Sequence, residues 1–68
     1  MLSVTVNGRP RTLPASSPTV ADLIRELAFE GKRIAVEKNG EIVPRSRYAD
    51  VALAEGDRIE IVGAVGCG

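Results

Sequence analysis

The sequence predicts an α+β fold, a mixed sheet of four to five strands with one helix packed across one face. Three observations carry this. Apolar residues alternate with polar ones in Leu2-Ser3-Val4-Thr5-Val6 and again in Arg58-Ile59-Glu60-Ile61, the period of strands with one buried face. Two Asn-Gly pairs, Asn7-Gly8 and Asn39-Gly40, each lie between strand-like segments. Both positions of such a pair accept positive φ, which suits a type I′ hairpin turn. Between the two pairs, Val20, Leu23, Ile24 and Leu27 fall at i, i+3, i+4 and i+7, the apolar stripe of a helix.

Each element follows in order. Leu2 to Val6 forms the first strand. After the Asn7-Gly8 turn, a second strand begins at about Arg9 or Arg11 and ends at Leu13. Pro10 puts it near a sheet edge, because proline has no N–H to give to a ladder. Pro14 to Pro18 reads as a loop. Thr19 suits the helix N-cap, with its hydroxyl accepting from the Asp22 N–H and the Asp22 carboxylate reaching back. Gly31 suits the left-handed residue that ends a helix. These limits give a helix of about ten to twelve residues.

Ile34 to Lys38 reads as a third strand and Glu41 to Val43 as a short fourth, stopped by Pro44. Arg45 to Asp50 reads as a loop carrying Tyr48, and Val51 to Leu53 as a turn laid on the core. Glu55-Gly56-Asp57 is a turn before the final strand, Arg58 to Val62. An order of hairpin, helix, hairpin and final strand, joined without knots, favours a β-grasp. The first and last strands then lie parallel at the sheet centre. Leu23, Ile24, Leu27, Val4, Val6, Ile59 and Ile61 dominate the expected core, at about 1.5–3 kcal/mol for each side chain fully buried.

Composition limits function. A 68-residue chain is one domain. It buries only roughly 60% of its unfolded surface. That leaves little room for an internal pocket of about 300 Å³ or more. A carrier, binding module or subunit is expected, not a free-standing enzyme. Nine Lys and Arg balance nine Asp and Glu, with no basic stripe. One Tyr, one Phe and no Trp offer no platform for stacking bases, so no nucleic-acid partner is expected. No apolar run is long enough for a membrane span, and the N-terminus lacks the pattern of a signal peptide. The expected compartment is therefore cytoplasmic. One Cys and no His make a zinc site improbable, and no metal ligands are assigned. Ser46 has no His partner for a nucleophilic triad.

The division expected is a domain over 1–62 and a flexible C-terminal tail over 63–68. The tail reads Gly63-Ala64-Val65-Gly66-Cys67-Gly68, half of it glycine. A frayed terminus is the ordinary reading of such a segment. A chemical reading stands beside it. A slender peptide ending in a carboxylate can enter a narrow channel and present that carboxylate as a reactant. The acid is a poor electrophile until a partner enzyme, using Mg²⁺ and cationic groups, converts it to an adenylate. The chain has no phosphate-binding glycine loop, so it is the substrate of that step.

Several stretches together resemble one family over nearly the whole chain. They are Val4-Thr5-Val6-Asn7-Gly8, Thr19-Val20-Ala21-Asp22-Leu23-Ile24, and Ala35-Val36-Glu37-Lys38-Asn39-Gly40-Glu41-Ile42-Val43-Pro44-Arg45-Ser46. Glu55-Gly56-Asp57-Arg58-Ile59-Glu60-Ile61-Val62 and Ala64-Val65-Gly66 complete the set. The chain resembles the ThiS family, the sulfur carriers of thiamine biosynthesis. The resemblance implies a ubiquitin-like fold and a carrier that is no enzyme itself. It implies a ThiF-type adenylyltransferase that uses ATP and Mg²⁺, with no cofactor bound to the carrier. It further implies sulfur drawn from cysteine through a desulfurase, and a ThiG-type thiazole synthase that takes the sulfur. The reactive group would be the carboxylate of Gly68, carried as a thiocarboxylate. Ala64, Val65, Gly66 and Cys67 would be the tail that threads the partners.

One position departs from the family pattern, which ends in Gly-Gly where this chain has Cys67-Gly68. Cys67 is a tolerated small residue, an introduced handle, or a thiol that joins the sulfur chemistry. No cationic neighbour in the tail favours a thiolate there. Two related readings share the fold and the tail, a small sulfur-carrier subunit of molybdopterin synthase and a ubiquitin-like protein modifier. Tyr48 is expected to pack on the sheet. Arg45 and Arg47 are expected either to be solvated or to meet an acidic partner surface.

Overall fold

The computed structural model describes residues 1–14 and 16–63. Five strands and one helix follow in the order β1 (Leu2–Val6), β2 (Arg9–Leu13), α1 (Val20–Glu26), β3 (Ile34–Lys38), β4 (Glu41–Val43) and β5 (Arg58–Gly63). A short 3₁₀ turn, Arg45–Arg47, follows β4. The strands form one sheet in the order β2-β1-β5-β3-β4. β5 is central. It runs parallel to β1 and antiparallel to β3, while both hairpins are antiparallel. This is the β-grasp arrangement, and Pro10 lies on edge strand β2 as its missing donor requires.

Each hairpin closes through its Asn-Gly pair. Val6 faces Arg9 across the first turn and Lys38 faces Glu41 across the second. Asn7 and Gly8 have φ of 52° and 83°, and Asn39 and Gly40 have 53° and 89°. Both central residues of each turn are thus left-handed, the geometry that matches the twist of the flanking strands.

The start of α1 is capped as the sequence requires. The Thr19 side chain accepts from the Asp22 N–H at 3.3 Å, and the Thr19 N–H donates to the Asp22 carboxylate at 2.9 Å. Two more first-turn donors are satisfied from outside the helix. Val20 N–H donates to the Val51 carbonyl at 3.0 Å, and Ala21 N–H to the Tyr48 carbonyl at 2.9 Å. The segment after β4 is therefore tied to groups that a helix start always leaves unpaired.

The end of α1 differs from expectation. The helix has seven residues, with Leu27 as C-cap. Ala28, not Gly31, ends it, at φ 61°. Ala28 N–H donates to Arg25 carbonyl and Phe29 N–H to Ile24 carbonyl, the two bonds of a Schellman motif. Phe29 packs back on the core, and that apolar contact outweighs the cost of an alanine in the left-handed region. Gly31 is also left-handed, at φ 77°, in the turn that follows. Leu27, expected in the core stripe, is only half-buried because it caps the helix.

The core lies between α1 and one face of the sheet. Val4, Val6 and Leu13 meet Val20, Leu23 and Ile24 from the helix, and Val36, Val43, Ile59 and Ile61 from the remaining strands. Leu53 joins them from the segment before β5, and Tyr48 packs against its edge as expected. Among the described residues, no helix is long and apolar enough to cross a membrane.

Candidate functional site

The residues assigned to the reactive tail, Ala64, Val65, Gly66, Cys67 and Gly68, lie outside the described residues. The structure describes the strand that leads into them and the surface around its end. β5 reaches Gly63, one residue beyond the expected strand end, where it pairs with Ile34.

Two asparagines hold this strand, one near each end. On its β3 side, β5 is paired along its length, from Lys38↔Ile59 to Ile34↔Gly63. On its β1 side, pairing covers only Thr5↔Arg58 and Val6↔Ile59, because β1 turns away at Asn7. The Asn7 side chain continues that ladder. Its Oδ1 accepts from the Ile61 N–H at 2.8 Å, and its Nδ2 donates to the Ile61 carbonyl at 3.0 Å. One amide side chain thus replaces a peptide of the missing strand. It satisfies both backbone groups of Ile61, which are expensive to leave unpaired in a buried residue.

Asn39 acts at the other end. Its backbone N–H donates to the Arg58 carbonyl at 2.7 Å, and its Oδ1 accepts from the Arg58 N–H at 2.9 Å. Its Nδ2 donates to the Asp57 carboxylate at 3.0 Å. Asp57 also accepts from the Ala54 N–H at 2.8 Å, with the Lys38 ammonium 3.8 Å away. Burial pushes the Asp57 carboxyl up. The Ala54 N–H, the Asn39 amide and Lys38 together outweigh it and hold the carboxyl below its ordinary value. The turn before β5 is in turn hung on β1, with Gly56 N–H donating to the Ser3 carbonyl and Thr5 N–H to the Asp57 carbonyl.

Sequence reasoning assigned Asn7 and Asn39 to turns and missed this second use. The pattern Asn-Gly signals a turn whether or not the side chain reaches a distant strand. The pattern Glu55-Gly56-Asp57 signals only a turn. The burial of Asp57, at 8% exposure, had no sequence signal beyond its place two residues before a buried Ile59.

Two surfaces border the end of β5. The sheet face away from α1 exposes Val62 and Ile42, at 62% and 68%. Glu37 and Glu60 face each other on it in register. Around the strand end lies a groove of about 440 Å³, lined by Lys32, Arg33, Ile34, Ala35, Arg45, Tyr48, Val62 and Gly63. Arg45, from the 3₁₀ turn, is brought there against the connection between α1 and β3. Arg47 is not; it borders a different depression, beside Lys38, Glu41 and Val51. Among the described residues, no cluster of three or more His, Cys, Asp or Glu side chains could hold a metal ion.

The comparisons with known proteins agree with this architecture. The family model described as the ThiS family matches residues 4–68. The chain is 38% identical over 63 residues to the sulfur carrier protein ThiS of Bacillus subtilis, covering 93% of this chain and 96% of that protein. It is 45% identical over 67 residues to a thiazole synthase of Paramagnetospirillum magneticum. That match covers 98% of this chain but 20% of the relative, so the chain spans about one fifth of the length of that thiazole synthase. The crystal structure of the thiamine biosynthesis protein ThiS from Geobacter metallireducens superposes with a TM-score of 0.82 at 32% identity, covering 98% of this chain and 100% of that one. A match running from β1 through residue 68, together with the five-stranded sheet and helix α1, means that this chain belongs to the ThiS family.

Proposed function

We propose that the chain is a sulfur carrier of thiamine biosynthesis and acts through the C-terminal carboxylate of Gly68. The observation that supports this best is the extent of the family match. It continues past Gly63, the last described residue, to residue 68, so the matched range takes in the tail as well as the sheet. The Bacillus carrier and the Geobacter protein are matched over 96% and 100% of their own lengths.

In this reading a ThiF-type adenylyltransferase binds the tail, with ATP and Mg²⁺ in its own site. A Gly68 carboxylate oxygen attacks the α-phosphorus, pyrophosphate leaves, and the acyl-adenylate forms. The terminal sulfur of a desulfurase-derived persulfide then attacks the carbonyl carbon and AMP leaves. A thiol cleaves the resulting S–S bond, giving a thiocarboxylate on Gly68 and a disulfide on the donor side. A ThiG-type thiazole synthase takes that sulfur. The thiazole synthases among the relatives favour this consumer over a molybdopterin synthase, because each contains a stretch similar to nearly all of this chain. A stretch similar to this chain and the name thiazole synthase thus occur together in one protein, which fits a working pair. The folded body supplies no chemistry in this scheme. It holds β5 at Arg58 and Ile61 and offers the tail.

Deleting Gly68 tests the scheme. The deletion removes the reacting carboxylate from its place but touches none of the core residues. Thermal melting is expected to be unchanged, and thiocarboxylate formation with a ThiF-type enzyme, ATP and a sulfur source is expected to be lost. Undiminished sulfur transfer by the shortened chain would refute the role of Gly68.

A further inference from the structure

The groove at the end of β5 combines three properties. Its floor is apolar, made by Ile34, Ala35, Tyr48 and Val62. Its rim is cationic, made by Lys32, Arg33 and Arg45. Among the described residues none of these three cations is in an ion pair, whereas Arg25 nearby is held by Asp22 and Glu30 and Lys38 lies against Asp57. The chain as a whole is neutral, so this is a local concentration of charge and not a general excess.

Its position matters as much as its charge. Gly63 lines the groove, and five residues separate Gly63 from the Gly68 carboxylate. Fully extended, five residues span at most about 18 Å. Any enzyme that holds the end of the tail in its active site therefore stands within about 18 Å of the groove. Cations on such a rim steer the approach of a surface of opposite sign and set its orientation.

We infer that this groove docks an acidic segment of the thiazole synthase that receives the tail. The inference rests on the carrier reading above and deepens it by naming the surface and the chemistry of its partner. Carboxylates of the partner meet Lys32, Arg33 and Arg45, and apolar side chains beside them cover Tyr48 and Val62. The open sheet face carries charges of both signs, with Glu37 and Glu60 facing each other and Arg58 on the same side of β5.

The test is a calorimetric titration of the full 68-residue chain against a bacterial thiazole synthase that has no carrier segment of its own, at low and at high salt. The probes are the wild type, Arg33→Gln/Arg45→Gln and Arg33→Glu/Arg45→Glu. Arg33 and Arg45 are exposed and outside the core, so melting temperatures are expected to agree. The Gln pair carries the same comparison if the Glu pair melts early. At low salt the Glu pair is expected to bind at least tenfold more weakly than the wild type, with the Gln pair between. High salt is expected to narrow the gap, because it screens exposed charges. Equal binding by all three would overturn the groove inference and leave the carrier reading intact. Tighter binding by the Glu pair would overturn it in favour of the chain's own terminal carboxylate as occupant. No binding by the wild type would remove the thiazole synthase as partner, and the docking inference with it.

Discussion

Asn7-Gly8 and Asn39-Gly40 are the same dipeptide in the same turn, yet their asparagine side chains end on different partners. Asn7 stands alone. It grips the Ile61 backbone through two hydrogen bonds and touches no ionised group. Asn39 belongs to a network with Asp57, Ala54, Arg58 and Lys38. The first replaces a strand that has turned away. The second anchors the start of β5 to a buried carboxylate. Equal local sequence therefore gives equal backbone, while the fold around each turn decides what the side chain does.

The largest expected effect breaks the network side of this contrast. Asp57→Ala leaves the Ala54 N–H and the Asn39 amide without their acceptor. Hydrogen bonds to a charged group contribute about 1.5–3 kcal/mol, so urea denaturation is expected to report a loss of about 3 kcal/mol. The same carboxylate makes stability depend on acid. Its folded pKa lies below the ordinary value of 3.8, so its contribution is present above that pH. The contribution is lost as pH falls from about 3.8 through the folded pKa. Asp22 adds to the same acid limb, its carboxyl lowered mainly by the Thr19 N–H. An acid titration of stability is expected to be shallower in Asp57→Ala but not flat.

Asn7→Gly and Asn39→Gly come next. Glycine keeps both left-handed turns, so each substitution removes side-chain bonds and little else. Each is expected to cost about 1–2 kcal/mol. Double-mutant cycles with Asp57→Ala sharpen the distinction. Asn39→Gly is expected to couple to it by at least about 0.5 kcal/mol, whereas Asn7→Gly, with no shared partner, is expected to add to it. Equal coupling for both would erase the contrast. The smallest effect has the opposite sign. Ala28 is the third non-glycine residue with positive φ among the described residues, and its methyl has no hydrogen-bonding role. Ala28→Gly is expected to stabilise by up to about 1 kcal/mol, since glycine removes the left-handed penalty.

The same contrast separates what the sequence disclosed from what it did not. The hairpins, the capping box and the edge placement of Pro10 rest on residues within three or four positions of one another, and all were legible. So was the parallel pairing of first and last strands, which the order of elements requires. Asn7 and Ile61 are 54 positions apart, and no local pattern marks that bond. The end of α1 was misplaced because Gly31 is the better left-handed residue in isolation. Ala28 wins through the contact of Phe29 with the core. The groove was half legible. The sequence leaves Arg45 either solvated or at a partner surface, and its meeting with Lys32 and Arg33 depends on a 3₁₀ turn that the sequence does not announce. The reactive tail was read from its glycines and from family resemblance, and it lies outside the described residues.

Mass spectrometry of the intact 68-residue chain, after incubation with a ThiF-type adenylyltransferase, ATP, Mg²⁺ and a persulfide donor, tests the central claim most directly. The account predicts that one oxygen is replaced by one sulfur and that fragmentation assigns the change to Gly68. A chain of unchanged mass, or sulfur found on Cys67 alone, would contradict it.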